Sequence, residues 1–312
     1  MRAAVVTAPG EAPVAGTFAE PELAPGAELV EIVAAGIHPV VRSLVSGHHY
    51  GSTDSWPKIP GVDGIARRSD GTLCYTGFTV DPYGTFAERA AVRLTLPVPA
   101  EADPVALAAG MNPGMSSWLP LTSYLTNPEQ ASVLVLGATG SAGRLAVQNC
   151  RALGVPRVLA AGRNPDALAR TAELGSCATV SLDADALGDA VAEYQPDLVL
   201  DFLWGPVAEV ALTALGTRGL ATFAHPVTYV EIGATAGATA SVPAAVLRSR
   251  SVTLRGSGAG SVAHDVLARA AASYAELIAS GAVQVDAVSY PLDDVATAWA
   301  DTSTEHRAVV VF

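Results

Sequence analysis

"SVLVLGATGSAGRLAVQ", residues 132–148, is the stretch that decides the fold. A run of Val and Leu ends at Gly137, and glycines recur at 140 and 143 where a helical pattern begins. A strand, a glycine-rich turn and a helix start together make a place for a pyrophosphate. The anion meets the unpaired N–H groups and positive dipole of the helix N-terminus. Gly137 lets the strand turn sharply, Gly140 lets the backbone approach the phosphates, and Gly143 lets the helix pack close on the sheet. Thr139, Gly140, Ser141 and Ala142 are thus the expected pyrophosphate-binding positions. The spacing is GxxGxxG rather than GxGxxG. A tight turn without a ligand is the competing reading, and it leaves three glycines in one turn unexplained.

Outward from this turn, strand and helix alternate. Strands are expected at 133–136, 157–161, 179–182, 198–201, 227–232 and 252–254, with helices such as 143–153, 165–174 and 206–215 between most of them. That alternation implies a parallel sheet covered on both faces, and six strands match the doubly wound dinucleotide fold. Residues 1 to about 112 lack helical periodicity and read as short strands (3–6, 29–37, 85–92) broken by Gly and Pro. A long helix is expected over 262–280, then strand, helix and a final apolar strand that returns to the first domain. The expected division is 1–112 with 281–312 for one domain and 113–280 for the nucleotide domain.

The bulk numbers narrow the function. Half of the 312 residues are hydrophobic and 15% are charged, as in a folded globular protein. No apolar run approaches the roughly 20 residues that span a bilayer, and the N-terminus reads as a strand rather than a signal peptide. A cytoplasmic protein is expected. The net charge of −12 argues against nucleic acid or an anionic membrane as partner. Lys58 is the sole lysine, which leaves one candidate for Schiff-base chemistry. Cys74, Cys150 and Cys177 are scattered and form neither a disulfide framework nor a metal knuckle.

The second strand of the nucleotide domain selects the cofactor. A site for NAD usually carries Asp or Glu about 20 residues past the glycines, to hold the ribose hydroxyls. Here "RVLAAGRNPDAL" (157–168) has Gly162-Arg163 at that tip. A guanidinium there pairs with a 2′-phosphate, so NADPH is expected. The bland alternative is a solvated arginine beside a helix start. Asn164 and Pro165 read as the N-cap and first position of that helix.

The order of features then resembles the medium-chain dehydrogenase/reductase superfamily, in its zinc-independent quinone oxidoreductase-like branch. "IPGVDGIAR" (59–67), "YGTFAERAAV" (83–92) and "AAGMNPGMSSW" (108–118) carry the likeness in the first part. "VLVLGATGSAGRLAVQNCRALG" (133–154), "VPAAVLRSRSVTLRGSG" (242–258) and "YPLDDVATAWA" (290–300) carry it in the rest. The resemblance implies a Rossmann domain inserted in a discontinuous, mostly β GroES-like catalytic domain. Short-chain dehydrogenases share a similar glycine turn but use a YxxxK pair, and Lys58 has no tyrosine four residues before it.

In the zinc alcohol dehydrogenases of that superfamily a Cys and a His-Glu pair hold the metal. The matching positions here are His38 and Val62-Asp63, and the four-cysteine structural lobe is missing. His38, His48, His49 and Asp63 lack a recognised ligand spacing, so no metal is expected. Without a Lewis acid, hydride transfer to a simple ketone is harder. Transfer to a quinone or an α,β-unsaturated carbonyl needs only hydrogen-bond donors for the developing oxyanion, and a proton. An NADP-linked carbonyl reductase or alcohol dehydrogenase, and a nucleotide-binding protein without turnover, are the alternatives.

In "SGHHYGSTDSW" (46–56), Tyr50 is the candidate proton donor, since related enoyl reductases place a tyrosine in this loop; the alternative is a surface tyrosine packed on Trp56. His49 is the runner-up, its ordinary pKa suiting proton transfer near neutrality. Asn112 and Ser116 are candidates for the nicotinamide ribose or amide, with capping as the plain role of Asn112 beside Pro113. Strand tips at Trp204, Gly233, Ala234 and Gly258 are expected near the nicotinamide, although Trp204 can equally just pack. The strand at 252–254 suits the homodimer pairing that the resemblance implies, but an edge strand can also be covered.

Overall fold

The computed structural model describes residues 1–175, 178–216, 225–258 and 261–312. Along the chain run β1 (Arg2–Val5), β2 (Val14–Thr17), β3 (Glu28–Gly36), α1 (Pro39–Val45), β4 (Asp63–Arg67), β5 (Leu73–Thr79), β6 (Arg89–Pro97) and α2 (Pro104–Tyr124). Next come β7 (Ser132–Leu136), α3 (Ser141–Ala152), β8 (Arg157–Gly162), α4 (Pro165–Gly175), β9 (Ala178–Ser181) and α5 (Ala184–Tyr194). They are followed by β10 (Leu198–Asp201), α6 (Gly205–Leu215), β11 (Val227–Glu231), α7 (Ala244–Ser249) and β12 (Val252–Gly256). The chain closes with α8 (His264–Ala279), β13 (Ala287–Pro291), α9 (Val295–Ala300) and β14 (Arg307–Val311). Met1–Pro113 with Ala271–Phe312 form one compact unit and Gly114–Ala270 a second, which ends within α8.

In the second unit six parallel strands lie in the order β12-β11-β10-β7-β8-β9. This is the doubly wound arrangement, in which the strand order reverses beside β7. The central strands β7 and β10 are buried throughout and apolar apart from Ser132 and Asp201 at their ends, because helices cover both faces. Ala146, Val147 and Cys150 of α3 pack on one side of β7, while Leu187, Leu212 and Leu215 of α5 and α6 pack on the other. Asn149 of α3 is buried and donates to the Gly114 carbonyl (3.0 Å) and Ser117 Oγ (2.9 Å), which locks α3 to α2.

In the first unit β3, β4, β5 and β6 pair antiparallel and close on themselves through β3–β6. The C-terminal strand does return to this unit: β14 pairs antiparallel with β3 and parallel with β13. Arg42 of α1 lies over the Trp299 ring and donates to the Asp301 carbonyl (2.9 Å), so α1 is fastened to the C-terminal segment.

Two expectations need correction. The first part of the chain is not free of helix, since it holds α1 and the first half of α2. Every residue of α2 from Leu107 to Leu121 is buried except Asn112 and Ser116. A helix buried on all sides has no polar stripe, so its sequence shows no periodicity. The strand expected over 85–92 begins at Arg89; Ala87 makes only an isolated bridge to Ala3. Cys74 and Cys150 are buried and in no disulfide, and Cys177 lies outside the described residues.

The glycine turn separates two physical roles. Gly137 has φ +87°, a conformation that L side chains resist. A Cβ on Gly143 would stand 2.2 Å from the Gly137 carbonyl oxygen, whereas one on Gly140 would meet nothing nearer than 3.8 Å. Gly143→Ala is therefore expected to lower unfolding free energy by about 1–3 kcal/mol in a urea titration. Gly140→Ala should stay within about 0.5 kcal/mol of wild type.

Candidate functional site

The loops that leave the C-terminal ends of the parallel strands touch one another. The turn after β7 meets the tip of β8: a Cβ on Gly162 would lie 2.6 Å from Thr139 Cγ2. On its other side Gly137 lies against Phe202 and Leu203, and Gly233 lies against the Phe202 carbonyl. Thr139, Gly140, Ser141, Ala142, Gly162, Trp204 and Gly233 are thereby brought to one end of the sheet, with exposed Ala234 next in the chain. Gly258 stands two residues past β12 in an exposed turn, its N–H donating to Ser261 Oγ (2.9 Å).

This end fits a pyrophosphate. Gly140 is the extended N-cap of α3 and no side chain caps that helix. The first N–H groups of a helix lack intrahelical acceptors, and a Cβ on Gly140 beside them would meet nothing nearer than 3.8 Å. Arg163 sits directly after β8, exposed, without a hydrogen bond or ion pair among the described residues. Asn164 does cap α4, its Oδ1 accepting from the Ala167 N–H at 3.0 Å.

Asp201, at the tip of β10, is a structural element that motif reading missed. It is wholly buried, accepts from the Leu203 and Trp204 N–H groups (2.8 and 3.0 Å), and takes a 2.6 Å bond from Tyr229 Oη. Burial raises its pKa, opposed by these donors. The bonds fix the tight turn in which Trp204 has φ 55°, and the Trp204 ring packs edge-on against Tyr229 at 6.2 Å. An acidic residue at a strand tip was the available signal.

In the first unit the 46–56 loop carries His49 and Tyr50. Tyr50 is 88% exposed and stacks on His49 (4.1 Å between centroids), so it does not pack on Trp56, whose ring lies under Lys58. The Gly51 N–H donates to His49 Nδ1 at 3.0 Å, leaving the ring proton on Nε2. Burial lowers the His49 pKa, so the ring is a neutral donor near neutrality.

Asn112 is not a cap: it lies in the middle of α2, and its Nδ2 is 3.4 Å from Asp63 Oδ1. Ser116 is one turn further on the same face of the helix. Asp63 is buried at the start of β4, accepts from Tyr75 Oη (2.9 Å), and faces His38 Nε2 at 3.5 Å. Neither ring nitrogen of buried His38 makes a well-formed hydrogen bond, although the approach of the Ala108 backbone favours its protonated form. Of His38, His48, His49 and Asp63, His38 and Asp63 are neighbours, while His48 and His49 belong to the 46–56 loop. Among the described residues no three His, Cys, Asp or Glu side chains share a site that could hold a metal. No helix among them is long and apolar enough to cross a membrane.

Desolvation pushes the Asp63 pKa up to about 7, against the hydrogen bonds from Tyr75 and Asn112. Desolvation, then the Arg307 charge, holds His38 well below the usual histidine range. Between the ordinary carboxylate pKa of 3.8 and about 7 the folded chain keeps a proton on Asp63 that the unfolded chain loses. Stability from this group therefore falls as pH rises through that window. His38 acts oppositely, since the unfolded chain gains a proton below 6.5 that the folded chain refuses. Asp63→Asn removes only the first effect. Its stability relative to wild type should rise steadily from pH 4 to pH 7 in urea titrations; a flat difference would refute the buried neutral carboxyl.

No family model matches the chain. A probable NADPH-dependent quinone reductase of Emericella nidulans, tdiC, is 29% identical over 226 residues, covering 67% of this chain and 62% of the relative. The match thus spans less than two thirds of that relative's length. Among solved structures, the quinone oxidoreductase of Thermus thermophilus, also known in complex with NADPH, is 25% identical with a TM-score of 0.80. A mycobacterial quinone oxidoreductase is 20% identical with a TM-score of 0.84. Both structures cover 100% of this chain and are themselves covered to 100%.

Proposed function

We propose that this chain, which falls by fold and relatives in the quinone oxidoreductase-like branch of the medium-chain dehydrogenase/reductase superfamily, is an NADPH-dependent reductase of quinones or α,β-unsaturated carbonyls. The observation that carries this reading is the uncapped start of α3, with open space at Gly140 and the unpaired guanidinium of Arg163 on the neighbouring strand tip. NADPH, when bound, supplies a hydride. The N–H groups of Ser141 and Ala142 hold its pyrophosphate, with Thr139 beside them, and Gly162 leaves room for the ribose that Arg163 marks with its charge. Asn112 and Ser116 serve the nicotinamide end, with the backbone at Trp204, Gly233, Ala234 and Gly258.

Reduction of a quinone or enone builds negative charge on oxygen. His49 Nε2–H and the Tyr50 hydroxyl are the donors in the outer loop, and one of them or water delivers the proton. The chemistry is zinc-independent: Val62 has no donor atom, and His38 with Asp63 finds no third ligand among the described residues. Cys74 and Cys150, buried and in no disulfide, agree with a reducing, cytoplasmic setting. The partner is a second copy of the chain, joined along β12. That strand ends the sheet, and Thr253 to Gly256 are exposed, Leu254 among them.

Purified protein assayed against quinones, enones, aldehydes and alcohols, with NADPH and NADH in parallel, tests the reading. It predicts turnover of quinones or enones with NADPH; activity confined to alcohols and aldehydes, or binding without turnover, contradicts it. Arg163→Ala should weaken NADPH about 10–100-fold and leave NADH little changed, since it removes a charge-assisted contact to the 2′-phosphate alone. Light scattering should give a dimer that Leu254→Lys converts to monomer; a monomeric wild type contradicts the β12 pairing.

A further inference from the structure

The single lysine of the chain is not a surface group: Lys58 is 8% exposed. Its backbone is fixed by a two-way bridge to Val6, with N–H···O bonds of 3.0 and 2.9 Å. Its ammonium turns back onto the residues just before it. Nζ donates to the Thr53 carbonyl (2.9 Å) and to the Thr53 hydroxyl (2.7 Å). Asp81 Oδ1 stands 3.7 Å away, and the Trp56 ring centroid 4.2 Å. A buried ammonium is costly unless it is bonded and paired, and these contacts supply both. With two of its hydrogens given to one residue, the amine is a clamp and not a nucleophile. What it clamps is the end of the loop that carries His49 and Tyr50. The Ser52 N–H donates to the His49 carbonyl (2.9 Å), and the Gly51 N–H to His49 Nδ1 (3.0 Å). Ser52 Oγ donates to the Leu44 carbonyl of α1 (3.2 Å). The 49–53 turn is therefore held twice, by α1 at Ser52 and by Lys58 at Thr53, all within the first unit.

We infer that Lys58 is a positioning residue, which by clamping Thr53 sets where the His49 Nε2–H and the Tyr50 hydroxyl stand as charge builds on the substrate oxygen. The inference rests on the reading that these two side chains are the donors. Lys58→Met keeps the unbranched stem and removes the ammonium, so it releases Thr53 without emptying the space. A donor moved by about 1 Å can cost about 100-fold in rate. A merely structural lysine would lower stability and leave the turnover of the folded protein alone.

The test is a mutant cycle, read as kcat/KM for the quinone or enone that wild type reduces and as Kd for NADPH. Lys58→Met is introduced into wild type and into a chain carrying both His49→Ala and Tyr50→Phe. We expect kcat/KM to fall about 10–100-fold in the first background, with Kd for NADPH unchanged. In the second background the same substitution should change kcat/KM little, because groups that act as a unit are not additive. Wild-type turnover by Lys58→Met, a loss carried by Kd for NADPH, or an equal loss in both backgrounds overturns the inference while the reductase reading stands. Full activity without His49 and Tyr50 overturns the inference together with the donor assignment. Wild type that reduces neither quinone nor enone overturns the function as well. If Lys58→Met fails to fold, Thr53→Val decides in its place, since it removes one of the two acceptors. It should lower kcat/KM about 3–10-fold, again only with the donors present. Wild-type turnover there overturns the inference.

Discussion

The contact between Gly143 and the carbonyl of Gly137 is the constraint on which the nucleotide unit depends. At 2.2 Å from where a Cβ would stand, it allows α3 to start hard against the end of β7. That closeness starts the helix at the strand tip, where no side chain among the described residues caps its first N–H groups. The same crowding extends sideways, through Gly162 against Thr139 and Gly233 against Phe202. The loops at this end are small because the backbone must pass close. Gly140 is the exception, for its own surroundings would admit a side chain.

Two buried carboxylates stand at opposite kinds of position and show how environment divides similar groups. Asp201 receives three short donors, two of them backbone N–H groups, and is a fastening for the turn after β10. Asp63 receives one short donor and two distant ones, which leaves its charge unsettled near neutrality. An under-satisfied buried acid is costly to keep ionised. That asymmetry is why Asp63 keeps its proton up to about pH 7.

The sequence made the nucleotide unit legible because its signals are local. Glycine spacing, a Val and Leu run, and helix-period residues each report on neighbours within a few positions. Gly162-Arg163 and the Asn164 cap were readable for the same reason. What stayed hidden was non-local or lacked contrast. The buried stretch of α2 shows no polar stripe, so Asn112 read as a turn residue beside Pro113 instead of a mid-helix amide. The bonds from Tyr75 to Asp63 and from Tyr229 to Asp201 join strands and carry no mark in the chain order. Tyr50 was read from its loop as a donor or a packed ring; its stacking on His49 needed coordinates.

The central claim is that the start of α3 and Arg163 hold a dinucleotide that carries a 2′-phosphate. Thermal unfolding of the wild-type chain with saturating NADPH, and separately with NADH, tests it most directly. Ligand at about 100 times its Kd adds about 2.7 kcal/mol to the folded state. The account predicts a rise in Tm of roughly 4 °C with NADPH and a smaller one with NADH at the same concentration. No shift with NADPH, or an equal shift with NADH, would contradict it.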